Sequence, residues 1–163
     1  MAHAAYRNLS KIRGRFKDRT VVFSSGTFDL THAGHALFLA DCKRLGDILV
    51  VAVGPDADAR EKGPDRPILN EHVRLHMVQA LKSVDYAFIN KPAHSNNTRF
   101  LSEVFKLLKP DVYAVNSDVS DMPSRGRAAK KHGVKMVVLE RSCPPEFERI
   151  STTNLIEKIK NLG

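Results

Sequence analysis

The chain has 163 residues, of which 42% are hydrophobic and 27% charged, enough to bury a core as a single domain without disulfide or metal staples. Its two cysteines have no metal-ligand spacing, and no apolar run approaches the roughly 18 residues of a membrane span, so a disulfide scaffold and a helical membrane protein are excluded. The net charge of +8 fits nucleic acid and polyanionic small molecules alike, and with no apolar leader at Met1 a cytoplasmic protein with reduced thiols is expected.

Taken in order, residues 3–16 place Tyr6, Leu9, Ile12 and Phe16 at helical spacing among arginines and lysines, which predicts a basic amphipathic helix within 1–19 ahead of a main domain over 20–163. Val21-Val22-Phe23 reads as a short buried strand. After it, Leu37, Phe38, Leu39, Cys42 and Leu45 recur at helical spacing. His32 and His35 therefore fall at a strand-to-helix turn, three residues apart and able to share one face. Two readings stand side by side. The histidines cap and solvate the helix start, or they hold an anion there, where amides point outward and Gly26 and Gly34 allow close approach.

Ile48–Val53 is a continuous apolar run, as in a strand buried on both faces, and strand, helix, strand at this spacing predicts a right-handed parallel crossover. Gly54 to Asn70 is polar and carries Pro55, Pro64 and Pro67, a long loop of the kind that is uncommon without a function. Within it Lys62, beside Gly63, is either a surface lysine or one that reaches an anionic ligand. Asn70 caps a helix carrying Val73, Leu75, Met77, Val78 and Leu81. On that helix His72 and His76 are four apart, but no third ligand accompanies them and no metal site is expected.

A third strand follows at Tyr86–Ile89, then a polar loop with His94, then a helix carrying Leu101, Val104, Phe105 and Leu108 and stopped by Lys109-Pro110. Val112–Val115 is a fourth strand running into Asn116-Ser117-Asp118. A basic helix from Arg125 to His132 ends at Gly133, and Val134–Leu139 is a fifth strand. Ser151 or Thr152 caps a final helix. The alternation predicts a single α/β domain, a Rossmann-like doubly wound parallel sheet of about five strands.

Gly26-Thr27-Phe28-Asp29 followed by His32-Ala33-Gly34-His35 resembles the HxGH signature of the nucleotidyltransferase superfamily that includes glycerol-3-phosphate cytidylyltransferase and ADP-heptose synthase. Gly46-Asp47 at the helix end matches as well. The run Lys62-Gly63-x-x-Arg66-Pro67 is similar to a loop of ADP-heptose synthase, and Ile150-Ser151-Thr152-Thr153 to the second family signature, so the resemblance spans about residues 20 to 160. It implies transfer of a nucleotidyl group from an NTP to a phosphorylated small molecule, with release of pyrophosphate. By that resemblance His32, His35 and Lys62 are catalytic, and Gly26, Thr27, Phe28, Gly34, Asp118, Ser151, Thr152 and Thr153 bind the nucleotide, with Arg149 or Arg141 as the phosphate-binding arginine. Asp29, Arg74 and Arg141 would face the acceptor, Mg²⁺ would come with the NTP without a tight protein site, and the protein would be a homodimer.

Two departures are visible. The family often has an acidic residue where this chain has His72, and ADP-heptose synthase usually reads Lys-Gly-Gly-Asp where this chain reads Val115-Asn116-Ser117-Asp118. A sugar phosphate with ATP as donor is the first expectation, and CTP with glycerol 3-phosphate or a phosphorylated amino alcohol the alternative. A non-catalytic nucleotide- or RNA-binding module is the alternative from another class. No RNA-binding aromatic motif accompanies the basic runs, so nucleic acid is not the expected partner.

Overall fold

The computed structural model describes residues 8–90, 97–140, 142–148 and 150–162. Tyr6, His94, Arg141 and Arg149 lie outside the described residues. In chain order the elements are α1 (Leu9–Arg15), β1 (Val21–Gly26), α2 (Ala33–Lys43), β2 (Ile48–Val53), α3 (Asp56–Arg60), α4 (Glu71–Gln79), β3 (Tyr86–Ile89), α5 (Asn97–Leu108), β4 (Val112–Asn116), α6 (Met122–Lys131), β5 (Lys135–Leu139) and α7 (Thr152–Lys160).

The five strands form one parallel sheet in the order β3-β2-β1-β4-β5. From β1 the chain winds outward one way through β2 and β3 and the other way through β4 and β5, which makes the sheet doubly wound, as the alternating pattern predicts. Strand alternation divides the core into two layers. Val21, Phe23, Val50, Phe88 and Tyr113 pack with Leu9, Ile12, Val104 and Phe105 of α1 and α5. On the other face Val22, Leu49, Val51 and Ala114 pack with Phe38, Leu39, Leu75 and Val78 of α2 and α4. Apolar side chains on both faces are the reason β2 reads as an unbroken hydrophobic run.

The N-terminal helix is part of this packing: Leu9 and Ile12 are buried against α5, and Arg13 reaches Asp111 at 2.9 Å, whose carboxylate also accepts from Val21 N at 2.8 Å. Several expected ends are in place. Asn70 accepts from the amides of His72 and Val73, both at 3.1 Å, and Gly133 takes the left-handed φ of 67° that closes α6.

The segment from Gly54 to Asn70 differs from the loop expected of it, because α3 lies within it. Asp56 and Asp58 sit in the first turn and Arg60 in the last, a charge order that suits the helix dipole, and Glu71 accepts from Asp56 N at 2.7 Å. Both thiols are free; Cys42 is buried in the α2 layer, where desolvation pushes its pKa up to about 12. Among the described residues no helix is long and apolar enough to cross a membrane.

Candidate active site

Between β1 and α2 the chain turns sharply, and it does so with two non-glycine residues in the left-handed region, Phe28 at φ 55° and Leu30 at φ 45°. Packing holds this strained turn. The Phe28 ring lies over Gly26, where a Cβ would come within 2.9 Å of it, and meets His35 edge-on at 5.4 Å. Asp29 is buried and its carboxylate accepts from Ile68 N at 2.9 Å and Leu69 N at 3.0 Å.

The helix start that follows is capped by imidazoles. His32 is the N-cap residue of α2, and its Nδ1 accepts from Gly34 N at 3.1 Å, while His35 Nδ1 accepts from His32 N at 3.4 Å. The two rings stack with centroids 3.9 Å apart. A Cβ on Gly34 would come within 3.0 Å of the His32 ring and 3.5 Å of Ile150 O, so this glycine is what lets the ring and the distant segment close over the helix start. Of the two readings of the pair, the capping one is what these contacts show. Capping fixes the rings, and because each Nδ1 accepts, a neutral ring carries its proton on Nε2, as a donor.

Arg74, expected at the acceptor, is instead sealed inside the protein at 0% exposure. Its guanidinium donates to Leu69 O at 2.8 Å, Thr27 O at 2.5 Å and Gly54 O at 2.7 Å, and pairs with Asp56 at 2.7 Å. It ties the turn after β1, the end of β2, α3 and the start of α4 to one another. Asp29, likewise expected at the acceptor, has its carboxylate turned to the loop amides of residues 68 and 69. Both side chains are held the same way: a buried charge is met by groups of its own chain.

Lys62 is exposed, yet its ammonium is crowded. Desolvation lowers its pKa below the ordinary 10.5, and the charges of Arg66, Arg125 and Arg74 lower it further, while Asp118 opposes them. The loop from β2 and the segment after β4 therefore meet electrostatically over the sheet edge. Arg125 comes from α6, buried, donating to Ser120 O at 2.9 Å and to the Tyr113 hydroxyl.

The second signature closes on the first. Ser151 is the N-cap of α7 and accepts from Asn154 N at 3.1 Å, and Thr152 Oγ1 donates to Asp29 O at 2.9 Å across 123 residues of sequence. Arg66 bridges the two segments, donating to Thr153 Oγ1 at 3.1 Å and lying 3.5 Å from the Asp29 carboxylate. Lys160 adds a surface contact to Asp65 at 2.7 Å.

Arg66 and Arg125 were not singled out from the sequence. Arg66 had a usable signal, its place in the Lys-Gly-x-x-Arg-Pro run; Arg125 sat in a helix that reads as merely basic. Among the described residues no group of three histidines, cysteines or carboxylates stands ready for a metal ion, and His72 and His76 point outward from α4.

A doubly wound parallel sheet with capped histidines after its first strand, a crowded lysine and a second helix start at the same edge defines a Rossmann-like α/β domain of the nucleotidyltransferase type. Residues 23–158 match the family described as Cytidylyltransferase-like, and the chain belongs to that family. It is 33% identical to the bifunctional protein HldE of Syntrophotalea carbinolica over 172 aligned residues, covering 98% of this chain and 33% of that protein. To HldE of Trichlorobacter lovleyi it is 35% identical, covering 89% of this chain and 28% of the relative, so it spans about a third of the length of these curated relatives. Among solved structures, the lipopolysaccharide core biosynthesis protein of Thermoplasma volcanium aligns with a TM-score of 0.62 at 30% identity, covering 76% of this chain and 97% of that one. Pantoate-beta-alanine ligase of Francisella tularensis aligns with a TM-score of 0.63 at 14% identity over 98% of this chain and 76% of that one, a likeness of fold alone.

Proposed function

We propose that the chain transfers a nucleotidyl group from an NTP to a phosphorylated small molecule and releases pyrophosphate, with ATP as donor and a sugar phosphate as acceptor. The observation that carries this reading is the bond from Thr152 Oγ1 to Asp29 O, which joins the two signature segments into one site. Phosphoryl-type transfer asks the protein for position and charge neutralisation more than for covalent chemistry, and the side chains gathered here are N–H donors and cations.

In this reading an acceptor phosphate oxygen attacks the α-phosphorus, and the bond from that phosphorus to the bridging oxygen of the leaving pyrophosphate breaks. The Nε2 protons of His32 and His35 are donated to oxygens that gain charge as the bond breaks. Lys62 neutralises the same region, where desolvation and the neighbouring arginines hold its pKa down and the charge of an entering triphosphate favours its protonated form. The hydroxyls and first amides of α7, with Gly26, Thr27, Phe28 and Gly34, form the nucleotide side, and Asp118 faces the ribose. Arg74 and Asp29 act as positioning residues for the acceptor side rather than as contacts.

The donor set around the histidines does not fit Mg²⁺, which takes oxygen ligands; Mg²⁺ belongs to this proposal as a companion of the NTP phosphates. The proposal includes a homodimer, checked by sedimentation equilibrium, and a cytoplasmic place of action. Its test is incubation with each NTP against a panel of phosphorylated sugars, glycerol 3-phosphate and phosphorylated amino alcohols, following pyrophosphate. Release with ATP and a sugar phosphate supports it, release with CTP and an alcohol phosphate moves it to the cytidylyl branch, and nucleotide binding without release in any pairing leaves a binding module.

A further inference from the structure

β1 pairs with β2 as far as Gly26 with Val53, and β4 pairs with β5 as far as Asn116 with Leu139. Between β1 and β4 the register is carried by Val22 with Val112 and Phe23 with Tyr113, after which Ser24 Oγ donates to Ala114 O at 2.9 Å. Beyond Phe23 and Tyr113 these two strands have no further bridge pair. Their carboxyl ends lie at the opening where the winding of the sheet reverses, the place at which open α/β sheets take ligands. Gly26 ends β1 on one side of this place and Asn116 ends β4 on the other.

Alternation along β4 fixes which way Asn116 turns. Tyr113 and Val115 enter the layer beneath α1 and α5, while Val112 and Ala114 enter the layer beneath α2 and α4. Asn116 follows the second set, toward the side from which α2 brings His32 and His35. Its Oδ1 is shut off from water and has no hydrogen-bond partner. A buried amide oxygen left without a donor costs folding free energy, and such groups are uncommon enough that each calls for a reason. Two other buried polar atoms among the described residues share this condition, Asn90 Oδ1 and His132 Nε2. Asn90 follows β3, beyond β2 from the opening. His132 closes α6 at the opposite edge of the sheet, in a cavity of about 490 Å³ where Lys106 and Lys109 complement a helix C-terminus instead of forming an anion site.

We propose that Asn116 determines nucleotide specificity: its carboxamide oxygen accepts a hydrogen bond from the nucleoside half of the NTP, either an exocyclic amine of the base or a ribose hydroxyl. The inference rests on the nucleotidyl-transfer reading of the site. With the triphosphate at His32, His35, Lys62 and the start of α7, the nucleoside extends into the opening between β1 and β4, the Asn116 carboxamide turns to meet it, and the nucleoside supplies the donor that the chain itself does not. A site built around such an acceptor rejects analogues that lack the donor, because the oxygen is then buried unpaired in the complex as well.

The test is calorimetric binding to the full chain of ATP, its 2′-deoxy and 3′-deoxy forms and ITP, of CTP, 2′-deoxy-CTP and UTP, and of tripolyphosphate. The wild type is expected to bind its preferred nucleotide about tenfold more tightly than one of the analogues, the effect of one well-made hydrogen bond. Asn116→Ala should reduce that preference below about twofold, leave tripolyphosphate binding unchanged and melt no lower than wild type. Loss against a deoxy form assigns the ribose; loss against ITP or UTP assigns the amine. Should the alanine variant not fold, Asn116→Ser, whose shorter side chain withdraws the acceptor, must show the same loss. A wild type that binds a nucleotide but discriminates against none of its analogues overturns the inference, as do variants that keep the full preference or lose tripolyphosphate equally. A wild type that binds no nucleotide at all is a different result, and it removes the proposed function together with this inference.

Discussion

Replacing Arg74 with methionine keeps the length of the side chain and removes its charge. Three carbonyls, those of Leu69, Thr27 and Gly54, then lose their donor, and the Asp56 carboxylate loses its cation. Breaking a buried pair by removing one partner costs roughly 3–5 kcal/mol, because an uncompensated charge and unpaired acceptors remain. For a domain of this size each kcal/mol lowers the melting temperature by roughly 2–4 °C, so the expected drop is about 6–20 °C. Arg74→Lys should recover little, because one ammonium cannot reproduce a fork that spans four acceptors. Thermal and urea unfolding would be measured beside the KM for the acceptor. If Arg74→Met melted like the wild type and raised only the KM for the acceptor, Arg74 would be a substrate contact, and the argument from its burial would be refuted.

Thr152→Ala removes the bond to Asp29 O, and because no residue of α7 is fully buried the helix start is held mainly by such polar contacts; the KM for the NTP should rise more than that for the acceptor, with a stability loss of about 1 kcal/mol. A stability loss with unchanged kinetics would reduce the segment to a plain helix cap. Lys62→Ala should lower turnover by about a hundredfold or more. It should not lower the melting temperature near neutral pH, since a lysine whose pKa is depressed in the folded chain opposes folding wherever it is protonated, and that opposition fades only at alkaline pH. Exhaustive chelation should abolish turnover and added Mg²⁺ restore it, while calorimetry of Mg²⁺ against the chain alone should show no tight site.

The strands were legible because their hydrophobic runs are short, bounded by turn residues and separated by helical periodicity, and the order of those elements left few topologies open. The position of His32 and His35 followed from the same reading. That capping is also what orients them did not, since the bond from Gly34 N to His32 Nδ1 depends on a backbone conformation that no spacing encodes. α3 was hidden because five residues are too few to show a period, and its helix dipole is matched partly by Glu71, fifteen residues away. Arg74 illustrates the deeper limit. Its alignment with a family arginine is visible in sequence, but its burial is set by carbonyls from separate segments that meet only in the folded chain. That the Ser151–Thr153 turn and the His32 turn share one sheet edge was legible from the second signature together with parallel topology, which brings the turns after the strands to one edge; the particular bond from Thr152 to Asp29 was not.

The most direct measurement of the central claim is phosphorus NMR of ATP and a responsive sugar phosphate incubated with the wild type and with His35→Ala. The account predicts pyrophosphate and a nucleoside-diphosphate-linked product appearing together in equal amounts. It also predicts a variant that stays folded but turns over about a hundred to a thousand times more slowly, the loss expected for one preorganised donor. A folded His35→Ala that forms both products at the wild-type rate, or a wild type that releases inorganic phosphate in place of pyrophosphate, would contradict it.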